Sequence, residues 1–345
     1  MKPVYINGIG VISRCAQNGL ELEALTRTQE KNSAYPTGKL DFAMSVPASK
    51  VRRCSRYMKM AVNTAELAVV DAGLTEKEDR LQIGTIISTG YGDVESNIVF
   101  SDSVVKGNPS LCSPGVFSAT VPNSCVGQIC IVNGFQGAST ILTGGDPLEY
   151  SAVLLNTGKA EQILCGSIEE YNEELEAACK KSGILSNTEI AEGCAMLMLS
   201  KDRTDATYCK VTRFASASLP KCPYIHKLQK SEMENVITDV LSRISGKPDI
   251  VLTSQNGSYF DEAEQEALES VFGGDIPLYA PKTFFGETQG SGYMLGIAFG
   301  ACMLKVQKDR LHTALVTGVD AHGNYMAALL VGSTESEGVD IKISQ

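Results

Sequence analysis

The sequence predicts a duplicated α/β protein with largely parallel strands, arranged as α-β-α-β-α layers with buried helices between two sheets. Three observations carry this. Short β-branched or apolar runs alternate with amphipathic stretches along all 345 residues. The order of elements in residues 1–204 recurs in residues 205–345, which marks two halves. The stretch Gly290-Ser-Gly-Tyr-Met-Leu-Gly-Ile-Ala-Phe-Gly300 is too apolar for a surface helix, and a place between two sheets accounts for it.

Each element follows from a local pattern. Residues 4–12 open the chain as a strand. A helix spans about 55–73, with Met58, Ala61, Val62, Ala65, Leu67 and Val70 three and four apart and Gly73 as the stop. Strands follow at 83–88, 139–143, 162–165 and 194–199, with a buried helix over 122–131 between the first two. In the second half, a strand from Tyr208 and a helix over 233–244 match the opening strand and first helix. Strands at 249–254, 276–280, 312–319 and 327–331 then match the earlier four in order. A duplicated α/β fold places its loops, and hence its site, where the halves meet.

Composition narrows the function. With 43% hydrophobic and 20% charged residues the chain can bury a large core. A net charge of −10 argues against nucleic acid as the main partner, because that binding rests on clustered Lys and Arg. The eleven cysteines are scattered singly without CxxC spacing, so they read as small core residues, with no metal site and no cofactor implied. No run reaches the roughly 18 apolar residues of a membrane helix, and Met1-Lys-Pro-Val-Tyr-Ile-Asn lacks an apolar targeting segment. The expected compartment is the cytoplasm.

Asn7-Gly-Ile-Gly-Val-Ile-Ser13, the helix ending Val70-Asp-Ala-Gly-Leu74, Val121-Pro-Asn-Ser-Cys-Val-Gly-Gln-Ile-Cys-Ile131 with Asn133-Gly-Phe-Gln-Gly137, and Ala191-Glu-Gly-Cys-Ala-Met-Leu-Met-Leu199 occur in that order. Together they resemble the β-ketoacyl synthases, the thiolase-fold condensing enzymes of fatty-acid and polyketide synthesis. The resemblance covers nearly the whole chain. It implies a cysteine nucleophile at the N-terminus of a central helix, two histidines for decarboxylation, and backbone N–H groups for the thioester oxyanion.

None of the three side chains is where the resemblance puts it. Counting forward from Gly127, Gly134 and Gly137 brings the nucleophile position to Asp146, beside Gly145, and counting back from Gly158 brings it to Ile141. No cysteine lies between Cys130 and Cys165. The first histidine position, in Gln255-Asn-Gly-Ser-Tyr-Phe-Asp261, holds Asn256, with Glu264 downstream matching the family's structural glutamate. The second, in Lys282-Thr-Phe-Phe-Gly-Glu-Thr288, keeps Lys282 and Gly286 but holds Glu287. The C-terminal glycine loop falls near Gly318-Val-Asp-Ala-His-Gly-Asn324, without the usual phenylalanine and with His322.

Plain readings compete with chemical ones at these positions. Asp146-Pro147 is a good helix start, with Asp as cap and Pro in the first turn. Glu287 precedes a helix whose dipole favours its charge, and Lys282 has either Glu287 or Glu264 as an ion-pair partner. His322 is either a replacement base or an ordinary loop residue. Arg52, Arg53, Arg56 and Lys59 form a solvated face or a docking surface for an acidic carrier protein.

The resemblance implies a chain-length-factor-like subunit of a bacterial polyketide, aryl polyene or fatty-acid system. Such a subunit pairs with an active ketosynthase or with itself, receives an acyl carrier protein, and turns over nothing on its own. Two alternatives stay open: an acyltransferase with an acid/base site rebuilt from Asp146, Lys282, Glu287 and His322, and a homodimeric acyl-binding protein.

Overall fold

Strand alternation decides which layer each side chain joins. The computed structural model describes residues 2–28, 35–107, 110 and 112–333. Its strands are β1 (Val4–Ser13), β2 (Gly84–Thr89), β3 (Ser139–Thr143), β4 (Gln162–Glu169), β5 (Gly193–Ser200), β6 (Cys209–Ser218), β7 (Ile250–Leu252), β8 (Leu278–Tyr279), β9 (Thr313–Val319) and β10 (Asn324–Gly332). Along β5, Cys194, Met196 and Met198 pack under the outer helices Arg56–Asp71 and Asn123–Asn133, whereas Ala195, Leu197 and Leu199 point into the centre. Along β10, Tyr325, Ala327 and Leu329 face the outer helices Lys230–Ser242 and Phe260–Phe272, and Met326, Ala328 and Leu330 face the same centre.

That centre is filled by two helices, Pro147–Asn156 and Gly292–Val306. Residues 293–304 are all buried, which the apolar run from Gly290 anticipates. Five layers result, as the patterning predicts: outer helices, strands, central helices, strands, outer helices. The strands, however, form one continuous 10-stranded sheet instead of two. The expectation of largely parallel strands is also corrected, since the pairings on both sides of β1, β5, β6 and β10 are antiparallel.

The duplication is complete at the level of topology. The strand order is β3-β2-β4-β5-β1 in the first half and β8-β7-β9-β10-β6 in the second. Replacing each strand by the one five places later converts one series into the other, and the parallel and antiparallel senses agree pair by pair. The halves join where Val4, Tyr5 and Ile6 of β1 pair antiparallel with Val211, Lys210 and Cys209 of β6.

Two sequence signals find their cause here. The Gly-Ile-Gly of the opening strand lets helix Arg56–Asp71 lie directly on β1: a Cβ on Gly8 would come within 2.4 Å of the Ala68 carbonyl oxygen, and one on Gly10 within 2.1 Å of that of Thr64. The last residue of that helix then holds the strand, since Asp71 accepts the Ile9 N–H and the Tyr208 hydroxyl, both at 2.8 Å.

The cysteines behave as core residues. All eleven are free and eight are buried. No helix among the described residues is long and apolar enough to cross a membrane. The sheet ends on one side at β3, whose five residues are only partly covered. The helices flanking this edge expose Ile131, Tyr150 and Val153, and Ile131 is 75% accessible.

Candidate functional site

The sequence elements that should carry a nucleophile, a base and an oxyanion site lie on three turns where the halves meet. The first follows β3. Gly144 and Gly145 take φ of +83° and +89°, a left-handed pair that only glycine adopts without cost, and they aim the chain into helix Pro147–Asn156. Asp146 caps that helix. Its Oδ1 accepts the N–H groups of Leu148 at 2.8 Å and Glu149 at 3.1 Å, and its Oδ2 accepts the Tyr293 hydroxyl at 3.3 Å. Burial pushes the Asp146 carboxyl up to about 7, against the pull of these donors.

The second turn follows β8 and carries Lys282 and Glu287, both buried. The Lys282 ammonium donates to Glu287 Oε2 at 2.7 Å and to the Tyr224 hydroxyl at 3.2 Å, and lies 4.8 Å from the Tyr224 ring centre. Asn256 Nδ2 donates to the same Oε2 at 2.6 Å, and the Gln289 N–H fills Oε1 at 2.7 Å. Backbone pairing of Glu287 with Glu189 and Ala191 holds the segment in register. The two positions where the resemblance expects histidines thus meet in one cluster, the Glu287 carboxylate with three donors, one of them Asn256. Gln289, next in line, is the one non-glycine residue with positive φ among the described residues, at +50°, and its amide donates to Cys179 Sγ at 3.0 Å.

A polar pocket of about 420 Å³ opens onto this cluster, lined among others by Arg14, Glu189, Asn256, Asp261, Lys282 and Glu287. Both of its cations are already paired, Arg14 with Glu189 and Lys282 with Glu287.

The third turn joins β9 to β10. Here Asp320 is buried, while His322 is exposed and gives its backbone N–H to Asp320. The structure does not join all four members of the acid/base site that the sequence allows. Lys282 and Glu287 are bonded to each other; Asp146 is bonded to Tyr293 and its own helix; no hydrogen bond links either group to the His322 ring among the described residues.

Glu264 is not the partner of Lys282. It lies fully buried on helix Phe260–Phe272 and accepts Ser254 N–H at 3.1 Å, Thr317 Oγ1 at 2.7 Å and the Tyr325 hydroxyl at 3.1 Å. Burial raises its carboxyl to about 7. The native state therefore keeps a proton that the unfolded chain releases near its ordinary value of about 4.3, so stability falls as pH rises between those values. Glu264→Gln is expected to flatten the pH dependence of the urea midpoint between about pH 5 and pH 8, by up to about 3 kcal/mol. An unchanged slope would show that Glu264 is ionised throughout. Asp146, and Glu169 with its carboxyl raised to about 8, add to the fall in the same direction.

The basic cluster divides. Arg52 and Arg53 are exposed, but Arg56 is drawn into a bidentate pair with buried Glu192 and also donates to the Leu40 carbonyl at 2.6 Å. It serves the fold, and any docking surface here rests on Arg52, Arg53 and Lys59. Three residues that sequence reasoning passed over prove central: Tyr224, Tyr293 and Asp320. Only Asp320 had a local signal, an Asp four residues ahead of Asn in a Gly-containing turn.

Comparison with known proteins bears on the family and the fold. The family described as β-ketoacyl synthase, N-terminal domain, matches residues 27–205. The chain is 26% identical over 376 aligned positions to the tetracenomycin polyketide synthase ketoacyl synthase beta subunit of Streptomyces glaucescens, covering 93% of this chain and 90% of that one. It is 23% identical to 3-oxoacyl-[acyl-carrier-protein] synthase 2 of Staphylococcus aureus strain COL, over 52% of each chain. Among solved structures, the ishigamide ketosynthase/chain length factor superposes with a TM-score of 0.77 at 18% identity, covering 96% of this chain and 100% of that one. A β-ketoacyl synthase from Burkholderia phymatum STM815 also gives 0.77, at 17% identity, covering 97% of this chain and 100% of that one. At these identities the superpositions establish the thiolase-like fold.

Proposed function

The chain belongs to the β-ketoacyl synthase family, and from that premise we propose that it is a non-catalytic, chain-length-factor-like subunit that pairs with an active ketosynthase. One observation carries the proposal. The polar residues at the positions that the family resemblance assigns to catalysis are already engaged in holding the fold: Asp146, the nucleophile position by the forward count, caps a helix, Glu287 is held by three donors, and Asn256 is one of them. Ile141, the position by the backward count, has no polar side chain. A carboxylate and an amide cannot replace two neutral imidazoles in stabilising an enolate. The Cys165 thiol, on strand β4, is pushed up by full burial and so is poorly suited to act as a nucleophile in their place.

The pairing surface in this reading is the open edge of β3 with the apolar side chains beside it. An unpaired strand edge flanked by Ile131, Tyr150 and Val153 suits extension of the sheet by a second chain of the same fold. Because this edge strand leads straight into the turn of Asp146, a partner seated there lies close to the head of the central helix. It can then shape the cavity for a growing polyketide or polyene. An acyl carrier protein, acidic by expectation, would meet Arg52 and Arg53. The subunit acts in the bacterial cytoplasm in this reading, with halves 1–204 and 205–345 acting as one scaffold.

The test is co-expression with the ketosynthase genes that neighbour it, followed by native mass spectrometry and analysis of acyl loading. A heterodimer carrying acyl groups on the partner alone is expected. A lone homodimer, or acyl groups on this chain, would overturn the proposal.

A further inference from the structure

The buried carboxylate of Asp320 has no part in the pairing just proposed, yet it collects more donors than any helix cap requires. Its Oδ2 accepts the Gly145 N–H at 2.7 Å and Asn324 Nδ2 at 2.7 Å; its Oδ1 accepts the His322 N–H at 2.8 Å and the Asn324 N–H at 2.9 Å. Three backbone N–H groups and one side-chain amide therefore converge on one point, three of the four from the turn of Asp320 itself and the Gly145 N–H from the turn after β3. Such a concave set of donors is a nest for an anion, and a carboxylate makes stronger bonds there than a neutral acceptor. The nest is walled closely. A Cβ on Gly144 would meet Asp320 Oδ2 and His322 Nδ1 at 3.1 Å and Asn324 Nδ2 at 3.2 Å.

We infer that Asp320 is a built-in anion: it fills from within the chain a carboxylate-binding nest made by Gly145, His322 and Asn324, and so closes the head of the central helix to an incoming carbonyl or carboxylate. An acyl oxygen arriving there needs an N–H to polarise it. The donors are already committed, and their occupant carries the same sign of charge as an oxyanion. The Gly145 N–H bond also ties the β9–β10 turn to the turn after β3, so the carboxylate is a clasp between the halves as well as a stopper. The site's own chemistry thus names its alternative occupant, a small carboxylate.

The experiment removes the internal carboxylate and offers an external one. For Asp320→Gly, the unfolding temperature is expected to fall by about 3–6 °C and to recover by at least half in roughly 50 mM sodium formate, by the mass action of a ligand that binds only the folded state. Sodium chloride at the same ionic strength should not restore it, and the unaltered protein should respond to neither salt. An unfolding temperature equal to that of the unaltered protein, or equal recovery in chloride, would overturn the inference. Should Asp320→Gly fail to fold, Asp320→Asn keeps the shape and loses the charge. Amide exchange across residues 143–149 is then expected to quicken about tenfold, and unchanged protection would count against the clasp. Neither readout involves a ketosynthase, so this result and the pairing proposal stand or fall separately.

Discussion

Glu287→Ala is expected to destabilise the protein by about 3–5 kcal/mol, the largest single-residue effect in the site, because it strands a buried ammonium. Among the described residues Lys282 keeps the Tyr224 hydroxyl and ring as its contacts once the carboxylate is gone, and Asn256 and the Gln289 N–H lose their acceptor at the same time. Urea denaturation of the purified chain measures the loss. The double variant Lys282→Met with Glu287→Leu removes both charges and should regain most of it, since a buried pair exchanged for apolar side chains is often neutral or better. A loss below about 1 kcal/mol for Glu287→Ala would mean that water reaches Lys282 through the adjoining pocket and that the cluster is not the internal brace described here.

The second large effect is on association. Ile131→Asp and Tyr150→Asp place a charge on each helix flanking the β3 edge, and each is expected to weaken pairing with a ketosynthase by at least about thirtyfold, the cost of losing a central apolar contact of roughly 2 kcal/mol. Both side chains are exposed in the isolated chain, so its unfolding temperature should hardly change. Leu20→Asp is the control: Leu20 is equally exposed, on helix Gly19–Thr28, which packs on β1 and the central helix Gly292–Val306. Affinity unchanged in all three variants would remove the β3 edge as the pairing surface. Sedimentation or surface-capture binding with the co-expressed partner gives the comparison.

The layers and the duplication were legible because they rest on periodicity. β5 and β10 alternate between two cores, and the run after Gly290 is apolar on every side, so burial left a direct trace in residue order. Asp146 was legible too, since Asp-Pro at a helix start has few other uses. What the sequence left open was which charges meet. Lys282 had two carboxylates to choose from, and the choice of Glu287 over Glu264 depends on a five-residue turn whose path no local pattern specifies. Arg56 looked like surface because its partner, Glu192, is 136 residues away. The clasp at Asp320 was hidden for the same reason: one of its donors belongs to a turn 175 residues earlier. Long-range polar pairing of this kind carries no period.

In the proposed reading, the three-donor embrace of Glu287 also bears on how readily condensing chemistry could arise on this chain. A histidine at Asn256 or Glu287 would set an imidazole against Lys282 or leave Glu287 short of a donor, and either change would cost stability before it conferred any activity. A chain acquiring the family's side chains at these places would therefore have to change Asn256 and Glu287 nearly together, and supply a thiol at Asp146 without losing the helix cap. Mutations arrive singly, and a chain holding only a few kcal/mol in reserve cannot cross that gap in small steps. In the proposed reading the brace acts as an evolutionary ratchet, a structural dependence on the side chains that stand where the resemblance puts the histidines.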